Sequence, residues 1–173
     1  LARALARMAG GATLPLSNLA RLSGGANMES WSFDWGGAGY VLRRAPSAEM
    51  MEGRPISHAV EAALVRAACA GGVRAPEVVG ELHADDDLGT GYVMKRVVAE
   101  VNPVKILADP PPSLIADLAR EMARIHAITP RDDLALPFVD TAEALAELRK
   151  RFIAYGGDRP IIALASTIAR LAW

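Results

Sequence analysis

The spacing of apolar and polar positions changes several times along the chain, and each change predicts an element. Over residues 1–9, Leu1, Leu5 and Met8 fall on one helical face, and Gly10-Gly11 stops the run. From Leu22 to Arg44 the spacing becomes two. Trp31 and Phe33 alternate with Ser30, Ser32 and Asp34, the pattern of a half-buried strand. Gly24-Gly25 makes a tight turn before it, because glycine accepts positive φ at no steric cost. Gly36 to Gly39 makes the next turn, and Tyr40-Val41-Leu42 opens a β-rich run into Arg43-Arg44. The stretch reads strand, glycine turn, strand, short turn, strand.

A loop over 47–55 precedes the return of helical spacing. Ser57 is a good N-cap for a helix over 58–70 with Val60, Leu64 and Ala67 as its apolar stripe, ended by Gly71-Gly72. Pro76–Leu82 and Gly91–Val97 read as strands joined by His83–Thr90, a solvated turn. Pro110-Pro111-Pro112 is a stiff break between a strand-rich half and a helical half. Ser113 caps the next helix, with Ile115, Leu118, Met122 and Ile125 at 3–4 spacing. Asp140 and Glu143 make a capping box for a helix carrying Leu145, Leu148 and Phe152. Gly156-Gly157 ends it, and Pro160 opens a last apolar helix to Trp173. The division expected is a lobe over 1–97, a linker over 98–112 and a helical part over 113–173. Exposed apolar faces on the helices of 141–173 imply self-association.

Composition narrows the classes. Of 173 residues, 51% are hydrophobic and 23% charged, which calls for a packed core. A net charge of −1 argues against a nucleic-acid partner. The single cysteine, Cys69, reads as a small buried hydrophobe and fits a reducing cytoplasm, the expected location. No apolar run approaches the roughly 18 residues that span a bilayer. Arg3 and Arg7 break the layout of a signal peptide, and a first residue of Leu1 suggests a trimmed start. Asp85-Asp86-Asp87 lacks the further ligands of a calcium loop. Zinc spacing, a Gly-x-Ser-x-Gly turn, a Walker loop and Gly-x-Gly-x-x-Gly after a strand are all missing from the sequence.

Candidate chemistry centres on the hairpins. A glycine turn before them can bring backbone N–H groups near a phosphate, and the same residues also suit a plain hairpin with a solvated basic end. The order of pieces shifts the balance toward the phosphate reading. Leu22-Ser23-Gly24-Gly25-Ala26, Trp31-Ser32-Phe33, Tyr40 to Pro46, Glu61-Ala62-Ala63-Leu64, Gly72 to Pro76, Gly91 to Met94 and Leu118 to His126 occur in sequence. This order resembles the aminoglycoside phosphotransferase/choline kinase-like family, which has the protein-kinase fold. It is most similar to the subgroup related to the kinase-like domain of certain acyl-CoA dehydrogenases.

The resemblance implies an α+β fold: a kinase-like N-terminal lobe with an antiparallel sheet of about five strands plus one helix, then the first helices of a C-terminal lobe. It implies ATP and Mg2+ as cofactors and a small-molecule substrate as partner. Arg43 on the third strand would hold phosphates and pair with Glu61 on the following helix. Val41, on the same strand face, would pack on adenine. Ser23, Gly24, Gly25 and Asn27 would cover the phosphates, and Met94 to Val97 would form the hinge. Most such kinases carry lysine at position 43; the subgroup carries arginine. The family's His-Gly-Asp…Asn stretch is missing, since His58, His83 and His126 are each followed by alanine. His126 reads instead as a packed or capping residue. Catalytic residues and metal ligands are therefore expected outside this sequence. The chain reads as the inactive N-terminal portion of a kinase transferring the ATP γ-phosphoryl group to a hydroxyl. The alternatives are a non-catalytic kinase-like binding module and an unrelated α+β domain.

Overall fold

The computed structural model describes residues 1–23, 28–129, 133–137 and 140–154. The chain forms two compact units, Leu1–Leu136 and Pro137–Trp173. The first begins with helix α1 (Ala2–Met8), strands β1 (Leu16–Arg21), β2 (Glu29–Trp35) and β3 (Ala38–Ala45), and helix α2 (His58–Ala70). Strands β4 (Val78–Glu81) and β5 (Thr90–Lys95) follow, then helices α3 (Pro103–Ala108) and α4 (Leu114–His126). One antiparallel five-stranded sheet runs β1-β2-β3-β5-β4. Among the described residues, the second unit holds helix α5 (Thr141–Ala154).

Alternation along the strands divides the sheet into two faces. Phe33, Trp35, Leu42 and Val93 pack with Leu5 of α1, and Leu1, Met8, Trp31 and Tyr40 flank them. The opposite face packs Tyr92 and Val78 against Ala62 of α2, with Val65 and Met94 alongside. Gly36 and Gly37 form a two-residue hairpin with φ of +58° and +84°, the geometry that matches strand twist. Strand β3 therefore begins at Ala38, and Gly39 lies in the strand rather than in the turn.

Several expectations change. The inner stripe of α2 starts from His58 and Ala62, with Val65 packed on the same core, rather than Val60, Leu64 and Ala67. The small Ala62 is fully buried and lets the helix approach the sheet. Ser57 does cap α2, its Oγ accepting from the Val60 N–H at 3.3 Å. The loop before β5 is not simply solvated. Asp86 is buried there and accepts from Arg7 Nη2 at 2.8 Å and from its own loop's His83 N–H at 2.8 Å. Met94 belongs to β5, which continues to Lys95. Helix α3 lies where a linker was expected, started by Asn102, whose side chain accepts from the Val104 N–H.

Ser113 precedes α4 without capping its backbone. The apolar row of α4 is exposed, from Ile125 at 50% to Ile115 at 76%. His126 ends that helix and is exposed, so it is not packed. Cys69 is half-buried, its thiol 3.4 Å from the Ala75 carbonyl. Asp140 caps α5, accepting from Ala142 and Glu143 N–H groups. The expected last helix, 160–173, lies outside the described residues.

Candidate functional site

Paired strands place directly opposite residues on the same face of a sheet. On the α2 face this produces three successive rungs across β2, β3 and β5. The first is Ser30–Arg43–Tyr92, the second Ser32–Val41–Met94. The third joins Asp34 to Gly39, whose carbonyl accepts from the Arg96 N–H at 2.9 Å. Rungs two residues apart are about 7 Å from one another. The face thus carries charge at one end, an apolar rung in the middle and a second charged group at the other end.

At the first end, Arg43 is gripped by Glu61 in the opening turn of α2. Arg43 Nε donates to Glu61 Oε2 and Nη2 to Oε1, both at 3.2 Å. This two-point pairing fixes the plane of the guanidinium and leaves its remaining N–H groups for an oxygen-rich anion. Each side chain is 29% exposed, so the pair is reachable from solvent. Arg44 points to the other face, where it donates to Glu29 Oε2 at 2.9 Å and to the Leu88 carbonyl. Hydrogen bonds from Trp31, then Arg44, hold the Glu29 carboxyl below its usual range.

Beneath the ion pair, His58 Nδ1 lies 3.0 Å from Thr90 Oγ1, and its ring meets Tyr92 edge-on at 6.2 Å. His58 Nε2 is buried without a hydrogen-bond partner among the described residues. Burial pushes the His58 pKa down, and Arg43 and Arg54 add to this against Glu61. Burial also pushes the Tyr92 phenol up. The floor under Arg43 is therefore uncharged near neutral pH.

At the far end, Arg96 Nη1 donates to Ser32 Oγ at 2.8 Å and Nη2 to Asp34 Oδ1 at 2.7 Å. Asn18 donates to Asp34 Oδ2 at 2.6 Å. Asn18, with φ +53°, sits where the β1–β2 register shifts. The bonds from Asn18, then Arg96, hold the Asp34 carboxyl below its usual range. Beyond Arg96 the chain leaves the sheet, and the Val97 N–H makes no backbone hydrogen bond among the described residues.

The structure thus brings Val41, Arg43, Glu61 and Met94 to one face. Ser23 is exposed just past β1, and Gly24, Gly25 and Asn27 lie outside the described residues. Sequence reasoning missed His58, Asp34 and Arg96. A signal for Arg96 exists in the sequence: it follows Tyr92 and Met94 at a spacing of two. Nothing local marks its partner. Among the described residues, no cluster of His, Cys, Asp or Glu could hold a metal ion, and no helix is long and apolar enough to cross a membrane.

Comparison with known proteins gives this geometry a setting. The sequence pattern of the phosphotransferase enzyme family matches residues 18–171. No curated protein matches. Among solved structures, a thermostable mutant of aminoglycoside phosphotransferase APH(4)-Ia, in ternary complex with AMP-PNP and hygromycin B, is 20% identical with a TM-score of 0.54. That match covers 92% of this chain and 61% of the other. Another thermostable mutant, in ternary complex with ADP and hygromycin B, is 24% identical with a TM-score of 0.50, covering 75% and 39%. Aminoglycoside phosphotransferase APH(4)-Ia itself is 27% identical with a TM-score of 0.48, covering 66% and 36%. The chain therefore spans between 36% and 61% of the length of these proteins. The five-stranded sheet and its helices match the N-terminal lobe of this kinase-like fold.

Proposed function

Because the chain belongs to the phosphotransferase enzyme family, we propose that it is the nucleotide-binding part of a small-molecule kinase. The reaction of the intact protein is in-line transfer of the ATP γ-phosphoryl group to a substrate hydroxyl, with ADP leaving. The observation that carries the reading is the bidentate Arg43–Glu61 pair beside the Val41–Met94 rung. Arg43 contacts the phosphates, Glu61 orients it, and Val41 and Met94 pack on the base. Ser23, Gly24, Gly25 and Asn27 belong to the turn that covers the phosphates.

Magnesium, when bound, would neutralise charge on the transferring group. The described residues offer no ligand set for it, so this reading assigns the metal and the proton acceptor to a His-Gly-Asp…Asn stretch that the present sequence lacks. On the same reading, these 173 residues alone bind nucleotide weakly and transfer nothing. The subgroup likeness around Arg43-Arg44-Ala45-Pro46 supports a metabolic hydroxyl compound, rather than an antibiotic, as substrate.

A thermal-shift titration of the intact protein with Mg-ATP tests this. Wild type should show saturable stabilisation. Arg43→Ala should weaken it about tenfold or more, the scale of a lost charge-assisted contact. Without nucleotide the variant should lose at most about 1 kcal/mol, because the pair is partly exposed. Wild type that nucleotide does not stabilise would remove the reading. A nucleotide-binding intact protein that transfers no phosphoryl group would favour the binding module instead.

A further inference from the structure

Strand β5 has ended at Lys95, yet the next side chain turns back across the sheet. To reach Asp34 and Ser32 on β2, the Arg96 guanidinium passes directly over Gly39 of β3. A Cβ on Gly39 would stand 2.5 Å from Nη2 and 2.6 Å from Nε. Gly39 does not occupy the left-handed φ range, so its backbone would accept a side chain. The space above it is what the arrangement uses. Asp34 is itself aimed, its second oxygen held by Asn18 at 2.6 Å. Parts of β1, β2 and β3 thus converge on the guanidinium of Arg96, a side chain that is 35% exposed.

An ion pair this open contributes little to folding. Its mechanical effect is local: together with the Arg96 N–H bond to Gly39, it pins the backbone at the exit of β5. The adjoining Val97 N–H is left without a backbone partner among the described residues. Gly39 lies four residues from Arg43, about 13 Å along the strand, with the apolar rung between them.

We propose that Arg96, held by Asp34 across Gly39, is a positioning residue that sets the backbone of residues 95–97 against the edge of an adenine base. The proposal rests on the nucleotide reading above. Adenine presents a 6-amino donor beside a ring-nitrogen acceptor; hypoxanthine reverses both. A fixed N–H and carbonyl pair distinguishes them, and a loose one does not.

The test measures ADP and inosine diphosphate binding to the intact protein, wild type against Gly39→Ala, Arg96→Met and Asp34→Asn. Gly39→Ala removes no charge and displaces only the far end of a flexible side chain. Wild type should prefer ADP. Each variant should weaken ADP about fivefold and inosine diphosphate much less, so the preference collapses. Gly39→Ala combined with Arg96→Met should be no worse than either alone. Arg43→Ala should weaken both ligands alike and keep the ratio. A latch variant that keeps the wild-type ratio, or a wild type without preference, overturns the proposal. A wild type that binds neither diphosphate overturns the nucleotide reading and the proposal with it.

Discussion

An imidazole on the first turn of a helix normally meets water; His58 is 3% exposed. Its neighbours explain why it stays neutral. Thr90 takes Nδ1, the Tyr92 ring lies edge-on, and burial outweighs the nearby Glu61 carboxylate, with the cations Arg43 and Arg54 acting in the same direction as burial. Burial is the main cause of its lowered pKa. The unfolded chain therefore takes up a proton at His58 near pH 6.5, while the folded chain resists until the pH is lower. Stability should be full above that value and decline as pH falls through the interval. Between about pH 7 and about pH 5, the melting temperature of wild type should fall more steeply than that of His58→Gln. Parallel slopes would contradict the assignment. At this scale the sequence was legible in part. Period two puts Val41 and Arg43 on one face and Arg44 on the other, as observed. Gly39 was read as turn because local sequence cannot show a guanidinium arriving from residue 96.

Elements were more legible than their contacts. The cap at Ser57 and the alternation of β2 follow from local stereochemistry and form where expected, whereas the turn expected over Gly36 to Gly39 is confined to Gly36-Gly37. Which face a helix buries depends on its tertiary neighbour. Helix α2 has apolar residues on more than one side, and the sheet selects the side of His58 and Ala62. The acidic loop before β5 looked solvated for the same reason, since its partner Arg7 is 79 residues away. Arg7 Nη2 donates to Asp86 and to the Glu81 carbonyl, and Nη1 meets His83 Nε2 at 3.0 Å. This cluster fastens α1 over the face formed by Phe33, Trp35, Leu42 and Val93. Arg7→Ala leaves a buried carboxylate with one fewer donor and should destabilise the protein by about 1–2 kcal/mol in urea unfolding. It should leave nucleotide affinity nearly unchanged, because α1 covers the face opposite Arg43. An unchanged unfolding midpoint would contradict the fastening role.

The molecule as a whole uses the two faces of one sheet differently. One face is closed by α1 around large apolar side chains, and the other is only partly covered by α2, which buries Tyr92 and leaves the Arg43–Glu61 pair reachable. On the proposed reading, that asymmetry separates stability from binding; the sheet itself matches the N-terminal lobe of the kinase-like fold. The antiparallel sheet of five strands could be inferred from the resemblance, whereas the Arg96 crossing and the added helix α3 could not. The most direct check of the central claim is an ADP titration of isotope-labelled intact protein followed by NMR. Saturable shifts should centre on Val41, Arg43, Met94 and Val97, with Leu42, Val93 and Trp35 almost still. Saturable shifts centred on the α1 face, or no saturable shifts at all, would contradict it.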